Sequence, residues 1–147
     1  MDRLAGFFCQ PAINTEVMIT YYCPNCWNEI SERDQVCPQC GYVLEEDTHL
    51  ELEEKLLMSL RHPVPDIQMM AVQILGNLGS ILALPQFDII LSDPDADVYL
   101  LREVIQSLSK IRHPKSAELL RKVRAHSSPL ISRLAEEQLK RIKALDE

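Results

Sequence analysis

From residue 48 onward, apolar residues recur every three or four positions, and each run ends at a break bearing proline or glycine. That period is the one a helix with a single buried face requires. The first run predicts a helix starting at Thr48, with Glu51 three residues later in capping-box spacing. Leu52, Leu56, Leu57 and Leu60 fall on one side of it. His62-Pro63-Val64-Pro65 stops it, because proline donates no N–H to the ladder and restrains the residue before it. Asp66 is expected to cap a second helix with the stripe Ile67, Met70, Ala71, Ile74, Leu75 and Leu78, ended by Gly79. A third helix begins at Leu84-Pro85, turns Phe87, Ile90 and Leu91 inward, and gives way to a turn at Asp93-Pro94-Asp95. The fourth carries Leu100, Leu101, Val104, Ile105, Leu108 and Ile111 up to the break at His113-Pro114. The fifth uses Ala117, Leu120 and Val123. Ser128-Pro129 opens the sixth, with Ile131, Leu134, Ala135, Leu139, Ile142 and Leu145 on one side.

The even-numbered helices superimpose on one another. Ala71, Val104 and Ala135 fall in register, as do Leu75, Leu108 and Leu139, and Leu78, Ile111 and Ile142; the offsets are 33 and then 31 residues. Paired helices at such a period mark a solenoid, in which no pair can bury its own apolar face and stacking creates the core. The stretch from Ala83 to Val98, with its Asp-Pro turn between two helical runs, resembles a HEAT repeat. Ile67 to Gly79 resembles the second-helix half of the repeat before it. The likeness spans residues 48–145, about three repeats, and is similar to the bacterial and archaeal HEAT-like repeats also found in phycobilisome lyases. Tyr99 stands where many such repeats place arginine. The resemblance implies a mainly α fold, an α-solenoid of about three helix pairs that presents a surface to another protein.

Ahead of the helices the pattern changes. Residues 1–20 show no clear periodicity and read as an N-terminal extension, with Met18 a candidate start of translation. Residues 21–44 hold Cys23-Pro24-Asn25-Cys26 and Cys37-Pro38-Gln39-Cys40, two C-x-x-C pairs separated by ten residues. A two-residue spacer lets one tight turn aim two sulfurs at one ion, and zinc prefers four thiolates in a tetrahedron. Proline after the first cysteine of each pair pre-sets the turn, and Gly41 suits a positive φ after the last. Trp27 holds the place of that glycine in the first pair, where its bulk calls for a less strained backbone or a different rotation. The segment Asn28–Val36 suits a β-hairpin joining the two knuckles, anchored by Ile30 and Val36. The whole of Tyr22–Tyr42 resembles the small zinc ribbons fused to many prokaryotic proteins, which implies that Cys23, Cys26, Cys37 and Cys40 are the ligands of one structural Zn2+. Iron and a pair of redox dithiols are the alternatives. The inter-pair loop is short for a rubredoxin-like site, and a thioredoxin-like βαβ context is missing. Full coordination leaves no open position for substrate water. Cys9 is read as an incidental free thiol.

Composition adds exclusions. The chain of 147 residues is 46% hydrophobic and 25% charged, ordinary for a globular protein, and its scarcity of aromatics favours helix on helix. No apolar run approaches the ~20 residues of a membrane span, and the N-terminus lacks the core of a secretion signal, so a cytoplasmic protein with reduced thiols is expected. The net charge of -7 conceals a gradient: -3 over residues 1–44, -9 over 45–104 and +5 over 105–147. A cysteine module so poor in lysine and arginine argues against nucleic-acid binding through it. The basic residues Arg121, Lys122, Arg124, Arg133, Lys140, Arg141 and Lys143, and the acidic run Glu45-Glu46-Asp47 with Glu51, Glu53 and Glu54, read as solvated surfaces. Met58, Met69 and Met70 read as core filler. His49, His62, His113 and His126 lie at helix ends or turns and read as solvated or capping groups. Phosphate loops, nucleophile elbows and His-carboxylate motifs are missing, so no catalysis is expected. The expected function is a zinc-containing adaptor for an unidentified protein partner. A chromophore-lyase-associated protein and a nucleic-acid binder using the ribbon and basic C-terminal helices are the alternatives.

Overall fold

The computed structural model describes residues 19–45 and 50–145. Cys9, Met18, Glu46, Asp47, Thr48 and His49 lie outside the described residues, as does the side chain of Leu145. Among the described residues the fold is mainly helical, with a two-stranded sheet ahead of six α-helices. The strands are β1, Tyr21–Tyr22, and β2, Glu29–Ile30, paired antiparallel with Tyr21 opposite Ile30. The helices are α1 Leu52–Ser59, α2 Pro65–Leu78, α3 Leu84–Ser92, α4 Val98–Leu108, α5 Pro114–Val123 and α6 Pro129–Leu145.

The helices pair as α1 with α2, α3 with α4 and α5 with α6, and the pairs stack so that α2, α4 and α6 form one row. One continuous apolar cluster runs from Leu56 in α1 to Leu139 in α6, with Phe87, Leu75, Ile105, Leu108, Leu120 and Ile131 fully enclosed. All six apolar positions expected of α4 are buried, because this helix has a neighbour on each side. Ser107 on α4 donates to the Val72 carbonyl of α2 at 3.1 Å, and Gly76 of α2 lies directly against it. Lys122 of α5 reaches back to Asp88 of α3 at 2.6 Å and holds that carboxyl below its ordinary value. The pair's contribution is therefore fully present above the unfolded carboxylate range and is lost as the pH falls from there through the lowered folded value.

Several local expectations are corrected. Helix α1 starts at Leu52 and not at Thr48: the Glu54 carboxylate accepts from the Glu51 N–H at 2.9 Å, so the cap sits three residues later. Leu52, now on the first turn, is 62% exposed. Helix α2 is capped at Val64 with Pro65 in its first turn, and Asp66 lies inside the helix as a dipole-favourable charge. Its buried face is Ala71, Val72, Leu75 and Gly76, whereas Ile67, Met70, Ile74 and Leu78 are exposed. Met70 is thus not core filler, although Met69 packs against the core. A single 3-10 turn, Ile81–Ala83, precedes α3 and was not expected.

The histidines that cap do so at helix N-termini, not C-termini. Nδ1 of His62, His113 and His126 accepts from the backbone N–H of Val64, Lys115 and Ser128, at 3.0, 3.1 and 3.0 Å. His113 is itself the N-cap of α5, and its ring nitrogen takes the place a serine or aspartate oxygen often fills, whereas His62 and His126 accept from the residue just before the proline that opens α2 and α6. Replacing His113 by alanine is expected to lower stability by about 1 kcal/mol, and His113→Asn to retain most of it. Urea unfolding midpoints check this.

Candidate metal centre

The ribbon is built from two knuckles, each closed by its own short pairing. β1 and β2 flank Cys23 and Cys26, and an isolated bridge between Val36 and Val43 flanks Cys37 and Cys40. The expected hairpin within Asn28–Val36 does not form; its residues divide between the two closures, and Val36 stays largely exposed. In each knuckle the chain folds back through an identical hydrogen bond, Trp27 N–H to Cys23 O at 2.8 Å and Gly41 N–H to Cys37 O at 2.9 Å.

The two turns share one conformation. Gly41 has φ 75°, as expected, and Trp27 has φ 58°. Trp27 thus adopts the left-handed backbone despite its side chain, where a less strained backbone or a different rotation was expected. Such a residue persists only where its surroundings over-determine it. Here the indole Nε1 donates to the Met58 carbonyl at 3.3 Å, and the ring lies 4.2 Å from that of His62. Arg61 adds a contact to Asn25 at 3.3 Å. The first knuckle is therefore fastened to the C-terminal end of α1.

The four Sγ atoms of Cys23, Cys26, Cys37 and Cys40 lie within 4.8 Å of one another. Across the knuckles, Cys23 and Cys40 are 3.6 Å apart and Cys26 and Cys37 are 3.7 Å apart. Disulfides would need about 2.05 Å. A tetrahedral zinc with Zn–S bonds of ~2.3 Å has S···S edges of about 3.8 Å, so the cluster has the dimensions of one four-thiolate site. Cys23 and Cys37 are buried, Cys26 is half-buried and Cys40 is exposed.

The surroundings favour thiolates where the site opens to solvent. Asn28 donates its side-chain amide to Cys26 Sγ at 3.2 Å, and with the Asn28 backbone it draws the Cys26 thiol down to about 6. Asn25 does the same for Cys40 at 3.5 Å, helped by the Tyr42 backbone, and lowers that thiol as well. Burial pushes the Cys23 thiol up to about 12, against the pull of the Cys26 and Asn25 backbone amides. A dication among four sulfurs outweighs that burial penalty, since a coordinating thiol is deprotonated outright. The two asparagine side chains were not singled out from the sequence. Their signal is their place inside and just after the first C-x-x-C pair. Asn28→Ala is expected to weaken zinc binding by roughly 10- to 100-fold, and the double change with Asn25→Ala to weaken it further. Competition against a chromophoric chelator measures both.

Among the described residues, no helix is long and apolar enough to cross a membrane. Arg121, Arg124, Lys140 and Lys143 line one small concavity of about 130 Å3 between α5 and α6, with Glu136 among them, and Arg133 and Lys140 are paired with Glu137 and Glu136.

Comparison with known families gives two matches. A zinc-ribbon domain model matches residues 22–44, and it agrees with a cysteine cluster able to bind one zinc ion. A model of HEAT repeats matches residues 53–140, more than half of the chain. Comparisons with curated proteins and with solved structures find no match. The chain belongs to the HEAT-repeat family and carries a zinc-ribbon domain ahead of its repeats.

Proposed function

We propose that this chain is a protein-interaction adaptor that grips an extended segment of a partner along the outer surface of its even-numbered helices. HEAT repeats commonly mediate protein interactions, and the zinc is structural. The supporting observation is a groove of about 270 Å3 between the N-terminal halves of α4 and α6. Val98, Tyr99, Leu130 and Leu134 supply its apolar floor, and Arg102 and Arg133 stand among its lining residues. Tyr99 and Leu130 occupy the same register on their two helices, 31 residues apart, and both side chains are exposed. Exposed aromatic and guanidinium groups side by side are the composition of a binding hot spot. The occupant that fits is a peptide pairing an apolar side chain with an adjacent carboxylate.

The reading assigns no catalysis, because a four-thiolate site offers no open coordination position. It places the protein in the cytoplasm, where thiols stay reduced. Kinship with phycobilisome-lyase repeats and a chromophore-related role rest on fold likeness alone, which does not carry function. Nucleic-acid binding would rest on the small basic concavity of Arg121, Arg124, Lys140 and Lys143, which Glu136 interrupts, and the ribbon adds almost no lysine or arginine to it.

Selection of a displayed random peptide library on the full zinc-loaded chain tests the adaptor reading. Enriched peptides are expected to combine bulky apolar residues with Asp or Glu, and to lose binding to Arg102→Glu and to Tyr99→Ala. No enrichment, or peptides that bind these variants as well as the parent, would sink it.

A further inference from the structure

Each helix of the even row has a face that receives its predecessor. On α4 and the turn after it this face is Leu100, Glu103, Ser107 and Ile111, and Ser107 makes the 3.1 Å hydrogen bond to α2. The same register on α6, 31 residues on, is Ile131, Leu134, Gln138 and Ile142, all buried or half-buried. On α2, 33 residues before α4, the register is Ile67, Met70, Ile74 and Leu78. These four are 37, 59, 37 and 55% exposed. The row therefore begins with an apolar face made to be packed against, about 16 Å long at helical rise. Among the described residues, the ribbon's side-chain hydrogen bonds to the helical part go to Met58 and Arg61 at the end of α1, and the stripe stays exposed.

The other end of the row is finished differently. The positions by which α2 meets α4, Val72 and Gly76, correspond on α6 to Glu136 and Lys140. They are joined there by an ion pair at 3.5 Å, beside Arg133 and Glu137 at 4.0 Å. A polar outer face is what a terminal repeat needs. Stacking the α2 stripe of one molecule on the α6 end of another would strip water from those charges without compensation. Head-to-tail growth is thereby disfavoured, and the apolar end is left to meet its own kind.

We propose that the α2 stripe is a two-fold interface, with α2 of one copy packed antiparallel on α2 of a second. An isologous contact matches a patch to itself and closes without further growth. The charges suit this direction. Asp66 is the one charged residue within α2 and lies in its first turn. At the other end of the helix stands Lys110, whose Nζ is 2.9 Å from Asn77 Oδ1. Antiparallel packing sets Asp66 of each copy toward Lys110 of the other, on the same edge of the stripe, whereas parallel packing would gather both Asp66 carboxylates at one end. The two-fold would join two even rows into one longer surface. This interface does not depend on the peptide groove between α4 and α6.

Sedimentation equilibrium of the full zinc-loaded chain tests the proposal, with a photo-crosslinking residue at position 70 as the second readout. A dimer is expected, crosslinked from position 70 to α2 of the other copy. Met70→Glu with Ile74→Glu is expected to raise its dissociation constant roughly 100-fold or more. Both side chains are exposed, so circular dichroism should keep its helical signal. Asp66→Lys should weaken the dimer, and Asp66→Lys with Lys110→Asp should restore it. A monomer throughout overturns the proposal. So does a crosslink from position 70 to residues 1–18 of the same chain, which would assign the stripe to the chain's own N-terminal segment. A dimer indifferent to Met70→Glu with Ile74→Glu overturns it too.

Discussion

Stripping zinc from the protein with a strong chelator is expected to unfold the ribbon while most of the helical signal persists. The two knuckles bury little apart from Cys23 and Cys37, and their pairings are two residues long or a single bridge. A segment of that size lacks the core to fold alone, and the metal would supply on the order of 10 kcal/mol. The helices have their own continuous core from Leu56 to Leu139 and do not need the ion. Trp27 is the only tryptophan in the chain and sits in the first knuckle, with its indole on Met58 and His62. Its fluorescence should therefore shift to the red on chelation, at zinc concentrations where circular dichroism at 222 nm changes little. Cys37→Ser should reproduce the chelated state without chelator. Loss of the helical signal together with the fluorescence change would show instead that the ribbon and the repeats fold as one unit.

Gly76→Ala is expected to cost about 3 kcal/mol, although alanine is the better helix former by about 1 kcal/mol. The sign is decided by the crossing of α2 and α4. A Cβ on Gly76 would meet Ser107 Cβ at 2.5 Å, its Oγ at 2.6 Å and its Cα at 2.9 Å. One of those contacts is backbone, so no rotamer change relieves the clash, and α4 must move away from α2. That movement would break the hydrogen bond from Ser107 to Val72 and loosen the packing of Val72 and Ile105. In a Gly76→Ala background, Ser107→Gly should restore part of the loss by removing the opposing Cβ and Oγ. Chemical unfolding of the two variants and the parent would show it. Gly79 and Gly41 offer a contrast. A Cβ there meets nothing within 4 Å, and their φ values of 68° and 75° make substitution a matter of backbone strain alone.

The sequence by itself determined what depends on neighbours along the chain. Helix breaks follow from prolines at Pro63, Pro65, Pro114 and Pro129, whose missing N–H acts locally, and the cysteine knuckles follow from their two-residue spacers. The repeat register of Val104 with Ala135 and of Leu108 with Leu139 was legible because each pair answers to the same packing in successive layers. The apolar stripe of α4 was legible for the same reason, since α2, α3, α5 and α6 surround it and all six of its positions are buried. What only the tertiary structure decided is which neighbours exist. Ile67, Met70, Ile74 and Leu78 have the period of a buried stripe, yet burial requires a helix ahead of α2 in the even row, and the described residues hold only α1, which packs on another side of α2. Gly76 reads as an ordinary helix interior until α4 crosses it. Trp27 accepts a left-handed backbone because Met58 and His62, distant in sequence, hold its ring. Local patterns encode conformation and periodicity through short-range sterics, whereas exposure, close approach and strain are properties of the partners that folding brings together.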